Sequence, residues 1–334
     1  MPDKILLAHG SGGKMMHELI RGLLLKHFNN PILKKLADSA VINFKEKLAF
    51  TADSFVVSPL FFPGGDIGKL AICGTVNDLV MAGADPLYLS LSLIIEEGLG
   101  YEILEKVIAS LARHSRQAGV EIITGDLKVV EKGSCDKLFI NTSGIGRLVR
   151  PREFSVHDIA VGDKVIVTGM IARHGLAVLA RRKELDFGFN IKSDCSALNH
   201  LLIPLLKKTS AVKFMRDPTR GGVATTLNEI AMSCGKGVII EENSIPVSAN
   251  VRCACELLGI EPLYVANEGV AIIILSSKDA KRVLGLLRKH PLGRSSRIIG
   301  SVVANPRGRV ILRTNLGTSR ILDMLAGESM PRIC

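Results

Sequence analysis

Two spacings of apolar residues alternate along this chain and divide it into elements. Leu48-Ala49-Phe50-Thr51-Ala52 reads as a strand ending in Asp53, and Ile67 to Met81 as a helix. Asp66 offers that helix an N-cap, Gly83 a C′ residue and Pro86 a stop. Tyr88 to Ile95 is strand-like, Leu99 to Gln117 is an amphipathic helix closed by Gly119, and Val120 to Thr124 is a strand that ends in Gly125-Asp126-Leu127-Lys128. Leu138 to Ile145 is a further strand, and Met15 to Phe28 has helical spacing.

After Arg150-Pro151-Arg152, which reads as a linker, the alternation resumes. Lys164 to Gly169, Val270 to Leu275, Ile298 to Val303 and Arg309 to Leu312 are predicted strands. Leu176 to Lys183, Val223 to Met232 and Ala280 to Lys289 are predicted helices, and Ser319 to Ala326 is helix-like. The implied class is α/β (α+β), with two α/β domains at 1–150 and 151–320 and a mobile tail at 321–334. Asn228-Glu229-Ile230-Ala231-Met232 echoes Asn77-Asp78-Leu79-Val80-Met81, as related halves would.

Composition adds mainly exclusions. A length of 334 residues suits two cores, and 47% apolar with 22% charged residues is ordinary for a globular chain. Trp is absent and aromatics are scarce, so the core must be aliphatic. No apolar run approaches the ~18 residues of a membrane span. The start lacks the pattern of a signal peptide, and the seven scattered Cys suit a reducing compartment, so a cytoplasmic protein is expected. Cys253 and Cys255 are too close for a C-x-x-C zinc pair. A net charge of +11 raises nucleic acid as a partner, but Lys and Arg are spread along the chain without interleaved aromatics. Anionic small molecules or an acidic protein explain the charge as well.

Candidate chemistry sits at the element ends. Asp53 closes a strand, where active-site acids sit in α/β folds, although a turn Asp is an equal alternative. Asp78 lies between apolar neighbours, and a carboxylate taken from water needs a partner or cation. Asp53 and Asp78 can therefore share Mg²⁺, which takes a few carboxylates plus phosphate oxygens. In His9-Gly10-Ser11-Gly12-Gly13-Lys14, a Gly-rich loop with a Lys opens a helix and can present N–H groups and a cation to phosphates without P-loop spacing, with a flexible N-terminal turn as an equal alternative. At the far end, Gly327 frees Glu328-Ser329-Met330-Pro331-Arg332-Ile333-Cys334. Extended chain covers ~3.3–3.6 Å per residue, so this arm reaches roughly 20 Å and can carry its thiol into a pocket. A frayed terminus is the competing reading.

Taken in order, the N-terminal Gly-rich loop, Gly64-Gly65-Asp66 through Asn77-Asp78 to Gly83, Gly125-Asp126, Arg216-Asp217-Pro218-Thr219-Arg220-Gly221-Gly222 and the terminal Pro331-Arg332-Ile333-Cys334 resemble the HypE family of hydrogenase maturation proteins. The resemblance covers essentially the whole chain. It implies a PurM-like (aminoimidazole ribonucleotide synthetase) fold whose N-terminal sheets pair in a homodimer. It also implies ATP phosphates at Lys14, Asp66, Gly125 and Asp126, with Mg²⁺ at Asp53, Asp78 and Asp217. The implied reaction dehydrates an S-carbamoyl group on Cys334 to S-cyanate, with a carbamoyltransferase as donor and an iron-carrying maturation scaffold as cyanide acceptor. Glu268 and Lys128 are the two candidate bases. Leu127 departs from the Thr expected in the family's turn. A selenide or thiamine phosphate kinase of the same superfamily, or a non-catalytic nucleotide-binding scaffold, is the alternative; a selenide enzyme would carry a Cys near the N-terminal loop, whereas the first here is Cys73.

Overall fold

The run Ile67–Met81 is apolar on every side, so it must be covered on every side. In a computed structural model of the chain, which describes residues 4–10, 14–35, 42, 44–150, 152–325 and 332–334, only Lys69 and Asp78 of that run escape burial. In chain order, α1 (Lys14–Leu19), a π-helical turn (Ile20–Leu24) and α2 (Leu25–His27) are followed by β1 (Leu48–Phe55), β2 (Phe61–Phe62) and β3 (Gly65–Asp66). Then come α3 (Ile67–Met81), β4 (Ala84–Glu96), α4 (Tyr101–Ala118), β5 (Glu121–Val130) and β6 (Leu138–Leu148).

These strands form a sheet in the order β1-β6-β4-β5, antiparallel except for β4 and β5, which run parallel and are joined through α4. Helices α3 and α4 cover its inner face. Asp66 caps α3 by accepting from Lys69 N at 3.0 Å, and Gly119 ends α4 in the left-handed region, both as predicted.

The second half contains β7 (Lys164–Val167), α5 (Arg173–Arg182), α6 (Asn199–Lys208), β8 (Val212–Arg216), α7 (Gly222–Cys234), β9 (Gly237–Glu241) and α8 (Ala249–Leu258). It closes with β10 (Ile272–Leu275), α9 (Ala280–Arg288), β11 (Arg297–Val303), β12 (Val310–Arg313) and β13 (Ser319–Leu322). Its sheet runs β13-β12-β9-β11-β7-β10-β8. The two halves meet along α3, α4 and α6, where Asn199 donates to Ala118 O at 2.7 Å and Asn77 takes Leu198 N at 2.8 Å. Among the described residues no helix is long and apolar enough to cross a membrane.

Several sequence expectations are corrected. Ser319–Leu322 is an edge strand, not a helix start, because it pairs antiparallel with β12; the proposed boundary at residue 320 therefore cuts a strand. β1 and β5 do not end at their acids: β1 runs on to Phe55 and β5 to Val130. Gly125 is a strand residue whose role is close approach, since a Cβ there would lie 2.2 Å from Leu91 O on β4. Gly125→Ala is expected to cost roughly 1–3 kcal/mol, as forced overpacking does, read as a lower urea midpoint. An unchanged midpoint would mean that β4 and β5 separate without penalty. Ser11 to Gly13, Pro151 and residues 326–331, including Gly327 and Pro331, lie outside the described residues.

Candidate active site

The two halves together wall a cavity of about 340 Å³ lined by Asp53, Asp78, Asp217, Arg216, Arg220, Glu229, Glu268 and Cys334, among others. Each arrives for a local reason. Alternation along β1 turns Thr51, Asp53 and Phe55 to the inner face, beside α3. Gly74 permits that approach: a Cβ there would stand 2.9 Å from the Phe55 ring and 3.7 Å from Asp53 Oδ2. One turn on, Asp78 accepts from Thr51 Oγ1 at 2.9 Å. Asp217 comes from the turn between β8 and α7, where Thr219 donates to it at 2.6 Å and Gly221 and Gly222 both have positive φ.

Glu268 is fixed through its backbone. Asp194 Oδ2 accepts from Glu268 N at 2.9 Å and from Gly269 N at 2.7 Å, and Asn77 donates to Glu268 O at 3.3 Å. Neighbouring Asn267 donates to Pro218 O at 2.9 Å, tying this loop to the Asp217 turn.

The C-terminal residues come in beside β1. Cys334 and Ile333 are buried. Val56 N donates to Cys334 O and Ser58 N to Arg332 O, each at 3.2 Å, an antiparallel register that prolongs β1. Arg332 donates to Val56 O at 3.1 Å and to Asp136 at 2.8 Å. Arg220 Nε donates to Cys334 Sγ at 3.0 Å.

Crowded acids in a partly dry cavity resist ionisation. Burial and the charge of Asp217 raise the Asp78 carboxyl from 3.8 to about 7, with Asp53 adding and Thr51 and Arg216 opposing. Burial raises Asp53 too, against the Ser54 N–H and Arg220. Burial, then Asp217, Asp194 and Asp53, push Glu268 well above the carboxylate range. Burial and Glu268 raise the Cys334 thiol to about 11, partly offset by Arg220.

The folded state thus favours neutral Asp78. Its contribution to stability is full below the unfolded pKa of about 3.9 and is lost as pH rises through about 7. Asp78→Asn is expected to stabilise the cation-free protein at about pH 8, by at most about 4 kcal/mol, and to change little near pH 4. Urea unfolding with a chelator at both pH values checks this; an equal effect at both would remove Asp78 from the acidic cluster.

Oxygen-only donors suit a hard dication. Among the described residues, however, no three of His, Cys, Asp or Glu already form a metal site. The expected three-carboxylate Mg²⁺ site is therefore not preformed in the chain alone. One or two carboxylates suffice for Mg²⁺ when phosphate oxygens and waters complete its octahedron.

The remaining expected residues stand elsewhere. Asp66 is taken up by its cap and by Ser110 Oγ at 2.7 Å, at the opposite end of α3 from Asp78, about 18 Å away by helical rise. Gly125 and Asp126 lie on β5, separated from β1 by β6 and β4, about 14 Å across the sheet. There they border an apolar cleft of about 110 Å³ under Met16, Ile20 and Phe28, on the helical run that Lys14 opens. Lys128 is exposed and paired with Asp126 at 3.1 Å, so within one chain it is not a base beside Cys334. Leu127 is buried in the core, which explains an apolar residue where a hydroxyl was expected. Arg220, Asp194 and Gly74 were not anticipated; Arg220 stood in a quoted motif but only as part of a turn.

Comparison with known proteins matches residues 36–148 to the N-terminal domain of AIR synthase related proteins and residues 160–313 to their C-terminal domain. A Rhodobacter capsulatus protein named carbamoyl dehydratase HypE is 44% identical over 335 residues, covering 99% of this chain and 98% of its own. A crystal structure of hydrogenase maturation protein HypE in complex with ATP superposes with a TM-score of 0.95 at 46% identity, over 98% of this chain and 99% of that one. A crystal structure of a HypE-HypF complex matches with a TM-score of 0.81 at 45% identity, over 92% and 99%.

Proposed function

This chain belongs to the HypE family of carbamoyl dehydratases, and from that premise we propose that it dehydrates an S-carbamoyl group on Cys334 to S-cyanate, using ATP, for hydrogenase maturation. One observation carries the reading: the terminal sulfur lies in the same cavity as Asp53, Asp78, Asp217 and Glu268. A relative seen with ATP supports ATP as the phosphoryl donor.

The carboxamide oxygen of Cys334–S–C(=O)–NH₂ is a poor leaving group. Phosphoryl transfer to it from ATP, with loss of one N–H proton, gives an imidate phosphate and ADP. Loss of the second N–H proton expels phosphate, and the C–N bond becomes the triple bond of S–C≡N. Glu268 is the base we assign: burial disfavours its charge, so its carboxylate binds a proton avidly when formed. Arg220 holds the sulfur in place. Asp53, Asp78 and Asp217 would hold Mg²⁺, which supplies charge neutralisation at the phosphates.

Lys14, Gly125 and Asp126 would contact the nucleotide from a second copy, whereas Asp66, buried with both carboxyl oxygens engaged, would hold the start of α3. The separation of about 14 Å between β1 and β5 within one chain motivates that assignment. So does the outer sheet face, where Phe50 is 71% and Ile94 41% exposed. Loading from a carbamoyltransferase is supported by the relative's complex with HypF. Release to an iron-carrying scaffold, and action in the cytoplasm, complete the proposal.

The test is the mass of the C-terminal peptide after carbamoyl-loaded protein meets ATP and Mg²⁺. A peptide lighter by one water is expected; an unchanged peptide, or one that only loses its carbamoyl group, overturns the reading. A kinase of the same superfamily would leave the peptide unchanged while phosphorylating a free substrate.

A further inference from the structure

Most contacts that hold the terminal arm reach its backbone, and α5 supplies two of them. Near its N-terminus, fully buried His174 sets Nε2 2.6 Å from Ile333 O. At its C-terminus, Arg182 donates to Arg332 O and, at 2.7 Å, to Ser58 O, on the segment that the arm pairs with. Consecutive carbonyls of the arm are thus gripped by opposite ends of one helix.

The His174 ring is itself held. Its Nδ1 lies 2.8 Å from Ser193 Oγ, which accepts from Cys195 N at 3.0 Å. The Phe62 ring meets it edge-on at 5.4 Å. A carbonyl only accepts, so Nε2 carries the proton; burial disfavours the charged ring, which leaves Nδ1 to accept from the Ser193 hydroxyl. Upstream, Ala172 N donates to Asn267 Oδ1 at 2.8 Å, and Ala172 has φ of 68°, a conformation that alanine rarely adopts. Asn267 adjoins Glu268. The helix that grips the arm is therefore tied to the loop that carries the base.

We propose that His174 is a positioning residue that sets the register of the C-terminal arm, and that α5 clamps the arm by its carbonyls whatever the sulfur carries. The contact to Ile333 O is the same for a thiol, a thiocarbamate and a thiocyanate, so one clamp holds the docked arm both before and after dehydration. A slip of one residue would move the sulfur by about 3.3 Å and turn it to the other face. The value of the clamp to catalysis rests on the dehydration reading above; the clamp itself does not.

The test compares His174→Asn with His174→Gln. Glutamine carries an amide nitrogen to the Nε2 position, whereas asparagine stops at the Nδ1 position and keeps only Ser193. Alkylation of Cys334 by iodoacetamide, read on the C-terminal peptide, is expected to quicken about three- to tenfold in His174→Asn, the equivalent of one hydrogen bond. His174→Gln should return it close to the parent rate. Cys73 and Cys195, buried in the parent, should stay unlabelled in both, which reports an intact interior. Equal Cys334 rates in His174→Asn and parent, or a Gln variant as fast as Asn, would overturn the proposal.

Should His174→Asn lose its fold, a glycine inserted between Ile333 and Cys334 tests the register without touching the interior. It should free the sulfur to react while Ile333 stays clamped, and parent-like protection of the sulfur would refute the register. Exposure of Cys334 in His174→Asn, with no dehydration even by the parent, would keep the clamp and defeat the functional reading instead.

Discussion

Cys334→Ala is expected to abolish cyanide formation completely while leaving ATP binding as in the parent. The sulfur is the atom on which both ends of the reaction are built, and no other described cysteine lines the acidic cavity. Apart from the Arg220 contact, the arm's grip does not pass through it, because Val56, Ser58, Arg182 and His174 hold carbonyls. The variant arm should therefore still dock, empty of cargo. Calorimetric titration with ATP beside an assay of cyanide transfer separates the outcomes. Lost ATP binding would make the terminal residue a structural plug, and surviving cyanide formation would place the carrier elsewhere.

Glu268→Gln should lower dehydration by ~10²–10⁴-fold, the usual loss when a positioned base is removed. The exchange keeps volume and backbone. Asp194 and Asn77 hold the main chain and not the carboxyl, so the loop should stay in place. Because the fold already disfavours the charged form of Glu268, a neutral isostere should not lower stability at neutral pH. Carbamoyl loading of Cys334 should be unaffected. Single-turnover dehydration of preloaded protein gives the answer directly. An unchanged rate would remove Glu268 from proton transfer and return attention to Lys128, reaching in from a second copy.

What the sequence made legible follows from how local each signal is. Asp78 is one of two charged residues in an otherwise apolar helix, and a buried-side acid in such a setting asks for a partner, which Thr51 and the cavity supply. Cys334 was legible only through the family resemblance, because the arm taken alone favours a frayed terminus. The parallel Asn-acid pairs in α3 and α7 also carry over: Asn77 and Asn228 are buried and bond backbone carbonyls, while Asp78 and Glu229 face the cavity.

The pairing of Lys128 away from Cys334 within one chain was not foreseen, although strand alternation offered it. Residues two apart on a strand share a face, so Asp126 and Lys128 pair with each other. Strand ends were missed where pairing overrides local composition, as in β5, which keeps its partner β4 through Gly125 and beyond. His174 gave no signal because its partners lie 19 and 159 residues away. The placement of Asp53 on β1 and of Gly125 and Asp126 on β5, at opposite edges of the sheet, is likewise a matter of strand order, which spacing along the chain does not encode.

The central claim is that the carbamoyl oxygen on Cys334 is removed by phosphorylation inside the acidic cavity. Protein loaded with a carbamoyl group bearing heavy oxygen, given ATP and Mg²⁺, isolates that step. The heavy oxygen should appear in inorganic phosphate in proportion to the cyanate formed on Cys334. Cyanate formed while the heavy oxygen is released to water, with unlabelled phosphate, would contradict the account.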